Sequence, residues 1–219
     1  MTNSITQLQE QAQKKVTELD LPLFKYGNGF GLNITVDWEK VFAEMQKAEV
    51  EIIADEKVKV CKLSEMNPGF IAKYAQKLVP AENKMLALHY SVNPDAAVII
   101  IPRNTIIEKP IQINSKIDAA SSIAEESIII IAEERSQATV IENNATSDTH
   151  ALFKSKIVQV FLEPRAQIHY CTLHNEKAGT HAFAAKRAEV LQDANITWLD
   201  IMVGEGVNQL QVRSHLREN

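Results

Sequence analysis

The stretch 168–175 holds the side chains best suited to bind a metal ion. His169, Cys171 and His174 provide two imidazoles and a thiol within six residues, and His181 follows soon after. On a β-strand, positions 169 and 171 share a face, whereas His174 lies near the strand's end. Structural zinc sites normally use four such ligands in two compact pairs. His169, Cys171 and His174 are therefore candidate metal ligands, and the incomplete ligand set favours core or strand-surface positions as the alternative.

Acidic side chains are the second group that could do chemistry. Glu125–Glu126, Glu133–Glu134, Glu142 and Asp148 could supply the two carboxylates of a glycoside hydrolase. Such enzymes also need a sugar-binding groove, and aromatic residues make up only 6% of the chain. We therefore assign no catalytic residue and expect that the protein is not an enzyme.

Composition narrows the class of protein further. The formal net charge is −5, and the sequence shows no basic stripe of the kind that binds nucleic acid. No run of about eighteen apolar residues indicates a membrane span, and the polar N-terminus does not resemble a signal peptide. The two cysteines, Cys61 and Cys171, form no C-x-x-C motif, which fits a reducing compartment. We expect a cytoplasmic protein.

A repeat organises the second half of the chain. Ala138, Ala166 and Ala194 each begin an alternating apolar run, and they are spaced 28 and 28 residues apart (166 − 138 and 194 − 166). A second series with the same offset leads from 127–132 to 155–160. A fixed period of this size is the signature of a repeat architecture.

The type of repeat follows from what separates the runs. No glycine occurs between Gly69 and Gly179, so the Asn-Gly turns typical of hairpins are missing from this region. No amphipathic helix separates the runs, which argues against a doubly wound α/β sheet. We therefore predict a mainly β protein whose residues 91–219 form a parallel β-helix with about 28 residues per turn. Six apolar side chains should fill its lumen: Ile129, Ile131, Val140, Ile157, Ile168 and Ile196.

Residues 1–90 predict a mixed α/β region in front of the coil. Helical periodicity and capping residues indicate helices over 4–19, 37–48 and 67–78, with a short helical run over 81–89. Alternation of apolar and charged residues predicts an edge strand over 50–63. Between the first two helices, the sequence predicts a glycine-bearing turn over 25–31 and a short extended piece over 32–36.

Several stretches resemble one known family. They are 93–113 (NPDAAVIIIPRNTIIEKPIQI), 138–142 (ATVIE), 166–170 (AQIHY), Lys186–Arg187 and Trp198. Together they resemble the SufB/SufD family, the scaffold subunits of the SUF iron–sulfur cluster assembly system. The resemblance implies a right-handed parallel β-helix behind an N-terminal helical region. It also implies a transient iron–sulfur cluster, and as partners a SufC-like ATPase and a second SufB/SufD-like subunit.

The chain also departs from this family. Members are longer and continue through further turns to a C-terminal helical segment, so this chain is expected to lack the family's C-terminal half. Its last turn, over 210–216, should then have an open edge and an uncovered lumen, which predicts self-association by strand addition. The SufB and SufD branches both stay open. The alternative is a stand-alone β-helix interaction module, without cluster chemistry, whose N-terminal half caps the coil.

Overall fold

A computed structural model describes residues 4–19, 44, 46–47, 49–116, 123–145 and 153–217. Its strands form two sheets within these residues. Sheet A contains β1 (Gln46–Lys47), β3 (Lys59–Lys62), β4 (Ala97–Ile101), β6 (Ile123–Ala132), β8 (Phe153–Leu162), β10 (His181–Val190) and β12 (Val207–Leu216). Sheet B contains β2 (Glu49–Ile53), β5 (Ile111–Lys116), β7 (Gln137–Ala145), β9 (Gln167–Asn175) and β11 (Asn195–Met202).

From β4 onward the chain alternates between the sheets, and from β6 onward each strand pairs in parallel with the strand one turn earlier. This arrangement confirms the predicted parallel β-solenoid of about 28 residues per turn. The turns shorten along the coil. Ile123 pairs with Phe153 (153 − 123 = 30), Gln167 with Asn195 (28) and His181 with Val207 (26).

The register predicted for the first repeat was wrong by two residues. Ala138 pairs with Ile168 rather than lying above Ala166, and Ser127 pairs with Ile157 rather than with Ser155. A shift of two residues leaves every side chain on the same face of its strand, because side chains alternate with a period of two. The prediction of which residues share a face is therefore correct despite the error in register.

A repeated tight turn joins sheet A to sheet B without glycine. One residue in each turn has a left-handed backbone: Asn104 (φ 55°), Arg135 (58°), Arg165 (64°) and Asp193 (57°). This conformation aims the residue's N–H at the neighbouring turn, so that Asn104 N donates to Glu134 O at 2.9 Å and Arg165 N donates to Gln192 O at 2.9 Å. Hydrogen bonds between turns therefore continue the ladder around the corner of the coil.

Two apolar cores lie on opposite faces of sheet A. The lumen core lies between the sheets and includes Ile128, Ile130, Val140 and Ile168. The second core lies between the outer face of sheet A and the N-terminal helices. Because sheet A is covered on both faces, parts of its strands, such as Ile128–Ala132 of β6, are continuous apolar runs rather than alternating ones.

This second core corrects part of the predicted lumen. Val140 and Ile168 lie in the lumen as predicted, and Ile196 packs against the same core while half-buried. Ile129, Ile131 and Ile157 are also buried, but they belong to the core beneath the helices. The alternation assigned them correctly to one face, but it could not show that helices cover that face.

Three helices lie over the outer face of sheet A: α2 (Pro68–Tyr74) and α3 (Lys84–Val92) pack on the sheet, and α1 (Ser4–Glu18) packs against α3. The helix predicted over 4–19 is confirmed, and the other two differ in length, since α2 ends at Tyr74 and α3 starts at Lys84. Asn67 and Asn83 cap α2 and α3 through side-chain oxygens that accept from Phe70 N and Leu86 N. No helix in the described part of the chain is long and apolar enough to cross a membrane.

The first turn of the coil is closed by two antiparallel strands. β2 pairs with β5 in sheet B, and β3 pairs with β4 in sheet A. The single edge strand predicted over 50–63 was therefore wrong, because a turn divides it into two strands that belong to different sheets.

The helix predicted over 37–48 was wrong at its end, where Gln46–Lys47 form β1 beside β6. Apart from Glu44, the rest of that helix lies outside the described residues, as do the predicted turn 25–31 and the extended piece 32–36.

Candidate functional site

Half of the lumen is polar and charged. Toward the turns 132–138 and 162–167 the inward side chains are aliphatic, but at the other end of the same strands they are ionisable. We call this group the lumen cluster; its members are Glu126, Glu142, Lys154, Lys156, His174, Glu176, Lys186 and Asp200. All are buried except Asp200, which is half-buried. Buried charges are tolerated when they are paired and hydrogen-bonded.

Lys156, on β8, joins one part of the lumen cluster. Its ammonium lies 3.0 Å from the Glu126 carboxylate and also contacts Glu142. It donates to Asn144 Oδ1 at 3.0 Å and to Ser115 Oγ at 3.2 Å. Burial lowers the pKa of Lys156 from its ordinary value, and Glu126 opposes that effect.

Lys186, on β10, joins the next turn of the coil. Its ammonium is 2.5 Å from Asp200 on the facing sheet, and it also donates to Thr172 Oγ1. Glu142 Oε2 is 3.9 Å away, and the same oxygen accepts from the Tyr170 hydroxyl at 2.8 Å. Burial lowers the pKa of Lys186, while Asp200 opposes the shift. Glu142 thereby links the two lysines into one network.

His174 lies between two carboxylates, with its Nε2 3.1 Å from Asp200 and its Nδ1 3.6 Å from Glu176. Burial alone would lower the pKa of His174, but the hydrogen bond to Asp200 and the nearby Glu176 carboxylate outweigh it and raise the pKa above its usual 6.5. In return, and against the effect of burial, contact with His174 lowers the pKa of both carboxyl groups. The geometry therefore favours an imidazolium between two carboxylates.

The lumen cluster ends at a cavity of about 30 Å³ lined by Lys154, Lys156, His174 and Glu176, among others. A space of this size accommodates about two water molecules. Within the described residues, Lys154 Nζ, His174 Nδ1 and Glu176 Oε2 are buried and make no hydrogen bond. Lys154 Nζ is 3.9 Å from Glu176 Oε1. This end of the lumen could therefore hold water and exchange protons.

The structure does not bring the three predicted metal ligands together. His169 is exposed and Cys171 is half-buried on the outer face of sheet B, so the prediction that these two share a face is correct. His174 lies on the opposite face of β9, inside the lumen. Among the described residues, no group of three or more His, Cys, Asp or Glu side chains is placed to hold a metal ion.

The lumen cluster was not predicted from the sequence, although the sequence contains a signal for it. Glu142, Thr172 and Asp200 pair across β7, β9 and β11, so they are stacked one turn apart. Each follows two inward-facing apolar residues of its strand, so the change from apolar to polar occurs at the same level of the coil in all three strands. With the correct register, the sequence would have predicted this column of polar residues inside the lumen.

A second buried polar group, around His89, lies beneath the helices. His89 Nδ1 is 2.8 Å from Ser155 Oγ, and its Nε2 is 2.8 Å from Ser127 Oγ and 3.2 Å from Glu125 Oε2. Burial lowers the pKa of His89 from 6.5 to about 3, so the ring is neutral near pH 7. The side chain is inaccessible to solvent. These contacts position α3 on sheet A and leave no room for a substrate.

Comparison with known proteins agrees with this architecture. Residues 115–219 match the model of the SufBD core domain of the SUF system for FeS cluster assembly. An iron–sulfur cluster assembly SufBD family protein of Staphylococcus aureus (strain MRSA252) is 26% identical over 197 residues, covering 89% of this chain and 42% of the relative. Its counterpart in Staphylococcus haemolyticus (strain JCSC1435) is 24% identical over 196 residues, with the same coverage.

The chain therefore spans about two fifths of the length of these curated relatives. The matched region begins in β5 and includes β6 to β12, which carry all the members of the lumen cluster except Glu176, in the loop after β9. On these grounds, residues 115–219 form a SufBD core domain, and the chain is similar over 89% of its length to iron–sulfur cluster assembly proteins of the SufBD family.

Proposed function

We propose that this chain is a scaffold component of iron–sulfur cluster assembly that acts in the cytoplasm through protein contacts rather than by turnover. Its partners in this proposal are a SufC-like ATPase and a second SufB/SufD-like subunit. The iron–sulfur cluster is the cargo of such a complex and is held only transiently. The observation that carries the proposal is the match of residues 115–219 to the SufBD core domain.

The last turn of the coil supports the role in protein contact. β12 pairs with β10 on one side, and its other edge has no strand partner within the described residues. Leu216 and Val212 at this end are 81% and 38% exposed. A free parallel edge beside uncovered apolar side chains is suited to strand addition by another chain, or by a second copy of this one.

The described residues also favour a shared rather than an internal cluster site. Cys61 and Cys171 are both half-buried, and they lie on β3 of sheet A and β9 of sheet B. Iron–sulfur clusters are held mainly by cysteine thiolates. In this proposal a partner subunit therefore supplies ligands, and the scaffold supplies the surface that positions it.

Co-expression with a SufC-like ATPase and a full-length SufB/SufD-like subunit tests this function. We expect the three proteins to co-purify, and we expect anaerobic reconstitution of the complex with ferrous iron and sulfide to give a cluster-like visible absorption. The same reconstitution of each protein alone is the control. If the chain purifies without either partner and its addition leaves the absorption unchanged, the alternative of a stand-alone β-helix interaction module replaces the proposal.

A further inference from the structure

The outer face of β7, β9 and β11, the later strands of sheet B, carries no charged side chain. We call it the sheet B face; it comprises the outward residues of β7, β9 and β11, namely Gln137, Thr139, Ile141, Asn143, Gln167, His169, Cys171, Leu173, Asn175, Asn195, Thr197, Leu199 and Ile201. It contains no Lys, Arg, Asp or Glu, although these make up 23% of the chain. Charged residues are depleted in the same way at the centre of protein interfaces.

An apolar row crosses the middle of the sheet B face. Ile141, Cys171 and Leu199 pair directly across β7, β9 and β11. Ile141 is 39% exposed and Leu199 is 52% exposed. Leu173 and Ile201 form a second pair two residues further along the same strands. Sheet A buries its corresponding outer face beneath helices, whereas no described element covers this face of sheet B.

We propose that the sheet B face is an interface at which two copies of this chain pack face to face. The chain has a net charge of −5, so two copies repel each other wherever charged surfaces meet. The sheet B face is where they can approach without burying like charges. Charged residues surround it instead, including Glu51, Arg165 and Asp193, which gives the polar rim of an interface.

The face is also self-complementary. Two sheets that pack face to face are related by a two-fold axis lying between them and parallel to both. If that axis passes over Cys171, in the middle of β9, the row of Ile141, Cys171 and Leu199 meets the same row of the other copy. This holds whether the axis runs along the strands or across them. Apolar side chains therefore contact apolar side chains, as an isologous interface requires.

The size of the face sets the strength of the contact. Its three strands, about 4.8 Å apart and about nine residues long, give roughly 400 Å² per copy. A standard stable interface buries about 800 Å² per partner. The dimer is therefore weak and reversible, and it forms at high local concentration. It involves a different surface from the free edge of β12 and does not depend on the proposed assembly function.

Cysteine cross-linking tests this arrangement directly. Face-packed sheets are separated by about 10 Å, too far for a disulfide but within reach of a short bis-maleimide. The chain has only two cysteines, so Cys61→Ser leaves Cys171 as the sole thiol and Cys171→Ser leaves Cys61. We expect a covalent dimer from the Cys61→Ser protein, increasing with protein concentration, and none above background from Cys171→Ser.

Substitutions on the same face sharpen the test. In the Cys61→Ser background, Leu199→Asp should lower the cross-linked fraction by roughly tenfold, because burial of an unpaired carboxylate costs more than about 1.4 kcal/mol. Val60→Asp is the matched control, since Val60 is 43% exposed on β3 of sheet A, away from this face, and it should leave cross-linking unchanged.

Equal cross-linking through Cys61 and Cys171, or no effect of Leu199→Asp in a protein that remains folded by circular dichroism, would overturn the proposal. The proposal would also be overturned if Cys171 is protected from maleimide only after a different protein is added. That protein, and not a second copy of this chain, would then be the partner at the sheet B face.

Discussion

The ammonium of Lys186 lies 2.5 Å from the carboxylate of Asp200, and the two residues come from opposite sheets of the coil. Lys186 is wholly buried and Asp200 is 13% exposed. The pair therefore ties the two sheets together across the lumen, where an unpaired charge would be strongly destabilising.

Lys186→Met should lower the free energy of unfolding by about 3–5 kcal/mol, because it leaves Asp200 and Glu142 without this cation in a buried site. Urea denaturation followed by circular dichroism measures the change. Arg217 and Glu189 provide the control, because they form a pair of 3.1 Å in which the arginine is 60% exposed. Arg217→Met should cost at most about 1 kcal/mol. Similar losses in both variants would contradict the role assigned to Lys186.

Stability should fall as the pH decreases below about 6.5, because His89 is buried as a neutral ring. Its pKa is about 3 in the folded protein and near 6.5 in the unfolded chain, so the unfolded chain binds the extra proton between these values. The contribution of His89 is complete above pH 6.5 and is lost as the pH falls toward 3. Thermal melting of the wild type and of His89→Gln between pH 4.5 and 7 should show a flatter dependence for the variant.

His169→Gln is the control for this pH dependence, because His169 is exposed on the outer face of sheet B. Its melting temperature should follow the wild-type curve. His174 acts in the opposite direction, since its raised pKa gives stability that is present below about pH 6.5 and is lost as the pH rises through the folded value. A His89→Gln protein that keeps the full wild-type slope would show that His89 is not the group that titrates.

Ile129→Ala should lower the free energy of unfolding by about 2–5 kcal/mol, as expected for a large-to-small change in a well-packed core. Ile129 is buried beneath the helices, so hydrogen exchange should also accelerate in α3. Ile141→Ala, at a partly exposed position of the sheet B face, should change stability by about 0.5 kcal/mol or less. If hydrogen exchange accelerates only in the strands around the lumen and not in α3, Ile129 would belong to the lumen core and not to the core beneath the helices.

Arg135→Gly should stabilise the protein. Arg135 has a φ of 58°, and a left-handed backbone costs a side-chain-bearing residue about 1–2 kcal/mol. Glycine removes that cost and adds about 0.5–1 kcal/mol of entropy loss, which leaves a net gain of up to about 1.5 kcal/mol. Arg103 does not have a positive φ, so Arg103→Gly should instead be destabilising. Denaturation midpoints that fall equally in both variants would contradict this explanation of the turn.

The 219-residue chain should self-associate through the free edge of β12. Sedimentation at micromolar concentration should show a dimer or larger species, and Val212→Asp should weaken it, because Val212 lies in register with the inward-facing Lys186 at the uncovered end of the lumen. Gln211→Asp introduces the same charge on the opposite face of the strand and should have a smaller effect. A wild-type protein that sediments as a monomer throughout this range would rule out this association.

The sequence by itself determined the class of fold and the repeat. Apolar β-branched runs about 28 residues apart, without glycine or intervening helices, can bury their side chains only by stacking turn upon turn. Local signals also located α1 and the start of α2, since capping and helical periodicity act within a few residues of sequence. The motifs around Ala138, Ala166 and Trp198 indicated the family.

Only the tertiary structure decided which faces are covered and which charges meet. A period of two assigns Ile129 and Ile130 to opposite faces, but it cannot show that helices from a distant part of the chain bury one of them. Lys186 and Asp200 are adjacent because two sheets face each other. Which charged residues meet also depends on the strand register, and the register predicted for an earlier turn was wrong by two residues. His169 and His174 are separated because the sheet has two sides, although they are only five positions apart in the sequence.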